Sequence, residues 1–328
     1  MSTFKAVRVS QDAGKSVSAA LVEATIDELG AGEVVIASRF SSINYKDALA
    51  VTGRGRIMSR FPCIAGIDVA GVVESSADAR FRPGDAVFVN GFGLGVSHDG
   101  GFAERVRVPA DWVIPVPQGM SLLDVGTLGV AGFTAALAIH LMELNGLSPD
   151  AGRVLVNGAT GGCGSIGIDM LARRGYQVVA LTGKPGSREY LMELGASEVI
   201  LRSELEMGTR PLEKAQFAGA LDSVGGAQLS WLTRSMLENG VIGAFGNAGG
   251  ADLATSVFPF ILRGVRLIGV NSNAPMPVRQ QVWARVATDL RPRHLDRVGF
   301  PVTLDQVIEH CARSVEGQVQ GRAVIHYR

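Results

Sequence analysis

The sequence predicts an α/β protein of two domains, a doubly wound parallel sheet joined to a second, mostly β domain. Three observations carry that reading. Between Arg153 and Leu181 an apolar run, a glycine-rich turn, a helical run and a second apolar run follow one another. The same alternation continues to about residue 270. Before residue 120 it is absent, and short apolar runs are separated by turn residues. At 328 residues the chain has the length of two domains of about 150 residues each.

In chain order, the β region reads as strands at Phe4 to Val9, Val34 to Phe40, Val69 to Val73, Ala86 to Val89 and Val106 to Val108. Their spacing predicts a compact barrel or sandwich. Pro83-Gly84-Asp85 supplies turn chemistry before the fourth. No glycine-rich loop leads into a helix here, so this region is expected to supply substrate contacts. Ser42-Ile43-Asn44-Tyr45-Lys46-Asp47 sets an amide, a phenol and a carboxylate close together after a strand. Asn44, Tyr45 and Asp47 are therefore candidate catalytic residues. The same pattern also reads as a helix N-cap at Ser42 or Asn44, with Tyr45 packed on the domain. Arg54, Arg56 and Arg60 on the loop that follows suit a phosphorylated substrate tail, or a solvated face.

Leu122 to Leu144 is helical in character and carries the chain into the second domain, with Leu147-Ser148-Pro149-Asp150 as the link. Val154-Leu155-Val156 reads as a buried parallel strand. Gly162, Gly164 and Gly167 then satisfy G-x-G-x-x-G. A helix, Ser165 to Arg174, is stopped by Gly175, and Gln177 to Leu181 is the next strand. Glycines let the backbone turn tightly and approach a pyrophosphate. The helix behind them offers N–H groups and its positive dipole end to the phosphates. Placed between a strand and a helix, the motif predicts a dinucleotide site rather than a plain turn. The rhythm continues with a helix Glu189 to Leu194, strands at Val199 to Leu201 and Ala218 to Asp222, a helix Gln228 to Leu237, and strands at Val241 to Phe245 and Val265 to Val270. In an open parallel sheet the ligand lies beyond the strand C-terminal ends. The small-residue segments Asp222 to Gly225, Gly246 to Ala248 and Asn271-Ser272 are thus expected around a nicotinamide. The tail from Val282 reads as helix, loop, helix and a final strand, Ala323 to His326, returning to the first domain.

The end of the second strand selects the cofactor. An NAD site wants an acid about 20 residues after the first glycine, on the ribose 2′-hydroxyl. Here Leu181 to Arg188 contains no acid, and Thr182, Lys184, Ser187 and Arg188 are hydroxyls and cations. Arg202, after the third strand, is in reach of the same place. A 2′-phosphate fits this set, so NADPH is expected over NADH.

Lys plus Arg and Asp plus Glu are equal at 31, with no basic stripe for nucleic acid. No apolar run is read as long enough for a membrane span, and the start MSTFKAVRVS lacks a secretory core, so a cytoplasmic location is expected. Three separated cysteines, Cys63, Cys163 and Cys311, argue against disulfides and a cysteine zinc cluster, and five scattered histidines form no H-x-x-x-H pair. No metal site is expected.

With these residues laid out, the chain resembles the medium-chain dehydrogenase/reductases, and among them the acryloyl-CoA reductase branch often described as quinone oxidoreductase. The likeness lies in SSINYKDALAVTGRG, FPCIAGIDVAGVV, NGATGGCGSIG, RGYQVVALTGK, EYLMELGASEVILR, FPFILRGVRLIGV and VQGRAVI, nearly end to end. It implies a GroES-like catalytic domain over 1–123 and 283–328, a Rossmann NADPH-binding domain over 124–282, and a homodimer. It implies no zinc, because Gly66-Ile67-Asp68 stands where zinc-dependent relatives carry Gly-His-Glu. It places Tyr45 near the nicotinamide and Thr160, Gly161, Gly162, Cys163 and Gly164 around the phosphates. It gives the 2′-phosphate to Thr182, Gly183, Lys184 and Arg202, and the nicotinamide pocket to Ala248 and Ser272. Cys163, where relatives commonly have Val, is a reactive thiol or a small buried hydrophobe. The implied reaction is NADPH-dependent reduction of an activated double bond, acryloyl-CoA to propanoyl-CoA, with hydride to the β-carbon and a proton to the α-carbon. Tyr45 is the expected proton donor or substrate-positioning group, with Asn44 and Asp47 orienting it. The alternatives are a quinone or enone reductase with the same cofactor residues, and a non-catalytic NADPH-binding redox sensor.

Overall fold

In a computed structural model, described over residues 2–327, the chain forms two compact units. One runs up to Val130 and resumes at Leu295, and the other is Ala131–His294. Met1 and Arg328, the outer ends of the expected first domain, lie outside the described residues.

The first unit holds two sheets. Val17–Ala24, Phe4–Gln11 and Cys63–Ile64 form an antiparallel trio. A seven-stranded sheet runs Gly299–Val302, Arg322–His326, Val34–Ser42, Asp68–Ser76, Ala86–Asn90, Ile114–Pro115, with Arg105–Val108 also paired to Val34–Ser42. Alternate residues point inward and bury Phe4, Ala6, Ile36, Val69, Val87 and Val106 in one core. A second core joins the helices Tyr45–Val51 and Val307–Val315 through Ala48, Val51, Val307 and Cys311. The final strand pairs into this unit, with Val324 opposite Ser42. Four strands were not legible, two of them only two residues long, Cys63–Ile64 and Ile114–Pro115. Val17–Ala24 is alanine-rich and half-exposed, and Gly299–Val302 contains a proline that only an edge strand accepts.

The second unit is a six-stranded, all-parallel sheet in the order Glu198–Leu201, Val178–Thr182, Val154–Val156, Phe217–Asp222, Met236–Ala244, Arg266–Gly269. This is the doubly wound sheet the alternation predicts. Strand order reverses between Val154–Val156 and Phe217–Asp222, the position where such sheets bind dinucleotides. Leu155, Leu181, Phe217, Trp231 and Ile242 fill its core. The expected helix to Leu237 ends at Ser235, because Met236 already pairs with Phe217.

The helix Leu122–Leu144 is broken at Gly129 (φ 45°, ψ −146°), and the chain passes between units just after the break. This helix is long and apolar enough to cross a membrane, which corrects the expectation that no apolar run reaches that length. Its most apolar window is 83% buried inside the protein. At the other crossing, the sequence reading divides the chain at 282/283, and the contacts divide it at His294/Leu295. Trp283 stacks on Phe133, and the Arg293 and His294 N–H groups donate to the buried Asp169 carboxylate at 2.9 and 2.7 Å.

Candidate active site

In the second unit, strand Val154–Val156 runs into a turn and then the helix Gly162–Arg173. The turn itself is made by Gly158, at φ +55°, where a Cβ would lie 2.2 Å from the Ser223 Oγ. Sequence reasoning missed this residue, although Asn157-Gly158 directly after a strand was the available signal. A Cβ on Gly164 would meet the Gly158 carbonyl at 2.5 Å, and one on Gly167 would meet Leu221 at 2.8 Å. These two glycines let the helix sit against the turn and against the neighbouring strand. Gly161 is the extended N-cap, Thr160 is buried, and Gly162, Cys163 and Gly164 form the first helical turn. The positive end of a 12-residue helix therefore faces whatever the turn holds. Cys163 is half-buried rather than a core residue.

Polar bonds lock the turn from behind. The buried Asn157 amide donates to Asp222, and the Ser223 N–H donates to the Asn157 Oδ1 at 2.8 Å. These bonds tie together the two strand ends at the point of reversal. Burial pushes the Asp222 carboxyl up. The Tyr190 hydroxyl donates to Ser165 Oγ at 2.8 Å, which donates to the Ala159 carbonyl at 3.1 Å. Burial raises the Tyr190 phenol to about 12. Neither Asn157 nor Tyr190 was read as a site residue, although both lie in stretches that carry the family likeness.

The second and third strands end side by side, Thr182 opposite Leu201. Thr182 Oγ1 accepts the Lys184 N–H at 3.1 Å. A Cβ on Gly183 would stand 3.3 Å from the Arg202 guanidinium carbon. The structure thus brings Thr182, Gly183, Lys184 and Arg202 together, and burial lowers the Lys184 pKa. Two cations with no carboxylate between Leu181 and Arg188 suit a 2′-phosphate.

Between the ends of Met236–Ala244 and Arg266–Gly269 lies an open hollow of about 520 Å³, lined by Phe245, Gly246, Asn247, Val270 and Asn271. Ala248 (exposed) and Ser272 (half-buried) follow these lining residues directly. Fully buried Arg279 fixes this loop, donating to the Ser272 and Ala274 carbonyls at 2.8 Å each. Its guanidinium lies 5.0 Å from the Phe133 ring centre, and burial lowers its pKa to about 10. A lone arginine in a helix gives no sequence signal for this.

In the first unit, Asn44 is the N-cap of Tyr45–Val51 and Asp47 Oδ2 accepts its N–H at 2.9 Å, half of a capping box. The Asn44 side chain turns inward instead, donating to Asp47 and Asp68 at 2.9 Å each. Asp47 Oδ1 accepts the Ile67 N–H at 2.9 Å. Asp47 is 1% exposed, and burial, followed by the nearby Asp68 charge, pushes its carboxyl up to about 7. Asn44 and Asp47 are therefore enclosed, while Tyr45 is 43% exposed. The helix-cap reading describes Asn44, and Tyr45 alone of the three reaches solvent. Asp68 and Arg322, missed as site residues, complete this corner with a 3.0 Å ion pair.

The arginine loop is largely committed elsewhere. Arg54 pairs with Glu316, and Arg60 binds the buried Asp99 at 2.9 Å, while Arg56 is exposed. Among the described residues no group of three His, Cys, Asp or Glu is arranged to hold a metal.

Residues 30–118 match the alcohol dehydrogenase GroES-like domain, and residues 162–288 match the zinc-binding dehydrogenase family. The chain is 44% identical to the putative quinone oxidoreductase YhfP of Bacillus subtilis, over 99% of each chain. It is 41% identical to the acrylyl-CoA reductase AcuI of Ruegeria pomeroyi, over 98% of each. The yhdH oxidoreductase of Salmonella enterica, solved in complex with NADP, superposes with a TM-score of 0.95 at 41% identity, covering 99% of this chain and 100% of that one. YhfP, solved with NAD bound, superposes with a TM-score of 0.96 at 42% identity over the whole of both chains. A GroES-like unit joined to a doubly wound nucleotide-binding unit defines an oxidoreductase of the medium-chain dehydrogenase/reductase class. Within it the chain belongs to the zinc-independent branch that holds AcuI and YhfP.

Proposed function

We propose that this protein uses NADPH to reduce the activated double bond of acryloyl-CoA, giving propanoyl-CoA. The full-length likeness to the acrylyl-CoA reductase AcuI carries the reading. When bound, NADPH supplies the hydride that the β-carbon receives. Thr160 to Gly164 hold the pyrophosphate through backbone N–H groups and the helix dipole. Lys184 and Arg202 neutralise the 2′-phosphate, with Thr182 and Gly183 shaping the strand end. Ala248 and Ser272 line the nicotinamide pocket, and Arg279 keeps the Ser272 backbone in place.

Tyr45 delivers the proton to the α-carbon or seats the thioester, in competition with water. Asn44 and Asp47 are positioning residues, since both are enclosed by the protein. The CoA phosphates have Arg56 as their first partner, with Arg54 available through a surface ion pair that exchanges at little cost. The protein is a homodimer in this reading. Exposed Val257, Phe258, Ile261 and Leu262 adjoin the edge strand Arg266–Gly269, and together they suit a second copy. Three sparse cysteines, Cys63, Cys163 and Cys311, fit the reducing cytoplasm.

Incubation with acryloyl-CoA and NADPH, followed by mass analysis, should yield propanoyl-CoA. Unchanged acryloyl-CoA would reject the substrate. A quinone or enone reductase is the second reading. The YhfP likeness favours it, as does the engagement of Arg54 and Arg60 by Glu316 and Asp99.

A further inference from the structure

Two of the stretches that carry the family likeness have no part in the roles above, Gly66-Ile67-Asp68 and Gly321-Arg322. The fold brings them to one buried point in the first unit. Strands Asp68–Ser76 and Arg322–His326 flank Val34–Ser42, so their first residues converge at its C-terminal end. Asp68 and Arg322 are each 3% exposed. Arg322 Nη2 donates to Asp68 Oδ2 at 3.0 Å, to Asn44 Oδ1 at 2.9 Å and to Ser42 Oγ. Asp68 also accepts the Ser42 N–H and the Asn44 amide at 2.9 Å each, the Ser42 hydroxyl at 3.0 Å and the Val130 N–H at 3.1 Å.

One ion pair therefore grips two separate things. The first is Asn44, the N-cap of the helix that opens with Tyr45. The second is the break in Leu122–Leu144. An interrupted helix gives up regular backbone bonds at the break, and Asp68 takes up the Val130 N–H there. A Cβ at Gly129 would lie 2.3 Å from Asp68 Oδ2, 2.6 Å from Arg322 Nη2 and 2.8 Å from Ser42 Oγ. Glycine is thus what lets the pair reach the helix. Stability alone does not account for such an arrangement, because apolar substitutes for a buried ion pair are commonly neutral or better.

We infer that Asp68 and Arg322 are positioning residues that hold Asn44, and through it Tyr45, in fixed relation to the helix break at Gly129. This rests on the proposed role of Tyr45. The test compares Asp68→Asn, Arg322→Met and the double variant D68N/R322M in the full chain. Each single change strands one buried partner and should lower the melting temperature strongly. The double variant removes both charges and should regain most of that loss.

A purely structural pair would regain kcat along with stability. A positioning pair leaves kcat of the double variant at least about tenfold below wild type. The NADPH Kd should be unchanged, and amide exchange at Tyr45–Val51 and Val130 faster than in wild type. Wild-type kcat and wild-type exchange in the double variant would overturn the inference. Kinetics use whichever electron-poor alkene the wild-type protein turns over, so failure of acryloyl-CoA as substrate is seen separately. If Tyr45→Phe retains full activity, the exchange rates alone decide whether the pair holds this helix. Should the double variant not fold, Arg322→Lys decides. Lysine keeps the charge but carries it on a flexible stem in place of the rigid planar guanidinium, so lowered kcat with faster exchange supports the inference, and wild-type values of both contradict it.

Discussion

The phosphate turn of the second unit and the Tyr45 corner of the first are held by opposite means. The turn is built from missing side chains. Gly158, Gly164 and Gly167 each sit where a Cβ would collide with a neighbour. The corner is built from buried side chains, with Asp68, Arg322, Asn44 and Asp47 joined in one hydrogen-bond network that also takes up two backbone N–H groups from distant segments. The turn fails when an atom is added, and the corner fails when a partner is removed. The turn offers backbone N–H groups at a helix start, which any sequence possesses. The corner holds Asn44, the N-cap of Tyr45–Val51, and needs specific groups to do so.

The largest test of this contrast adds atoms to the turn. Gly164→Val should cost more than about a hundredfold in NADPH affinity, near 3 kcal/mol, by titration calorimetry. Kinetics in the corner come next. Tyr45→Phe should lower kcat about a hundredfold if the phenol gives the proton, with an unchanged NADPH Kd. Full activity would remove Tyr45 from the chemistry. At the strand end, Arg202→Ala or Lys184→Ala should raise the NADPH Kd about tenfold by loss of a charge-assisted contact. NADH affinity should stay put, and an equal loss for both cofactors would break the 2′-phosphate assignment.

The smallest effect is a pH slope. Burial and Asp68 hold the Asp47 carboxyl up at about 7, so the folded chain keeps a proton that the unfolded chain releases in the ordinary Asp range. The stabilisation from this group is full below that range and declines as pH rises to about 7, by at most about 1.4 kcal/mol per pH unit. Thermal melts across this window should fall more steeply for wild type than for Asp47→Asn. Parallel slopes would show that Asp47 is already ionised there.

The contrast also explains what was legible in the sequence. The turn is local: Val154 to Gly167 contains the strand, the glycines and the helix start, so pattern alone located it. The lack of an acid after Leu181 pointed to NADPH for the same reason, and Arg202 was in reach because adjacent parallel strands end together. The corner is not local. Asp68 and Arg322 stand 254 residues apart, and no periodicity links them. Gly129 looked like one more small residue in an alanine-rich helix. The arginine loop read as a cationic patch because Glu316 and Asp99, which bind Arg54 and Arg60, come from remote segments. Local geometry is written in neighbours, whereas charge pairing is decided by topology.

The most direct test follows NADPH oxidation with acryloyl-CoA and a simple quinone side by side, with NADH as control. The account predicts a high kcat/KM for acryloyl-CoA with NADPH, little with NADH, and a much lower value for the quinone. Turnover of the quinone with acryloyl-CoA left untouched would contradict the proposed reaction while leaving the fold and the cofactor cradle in place.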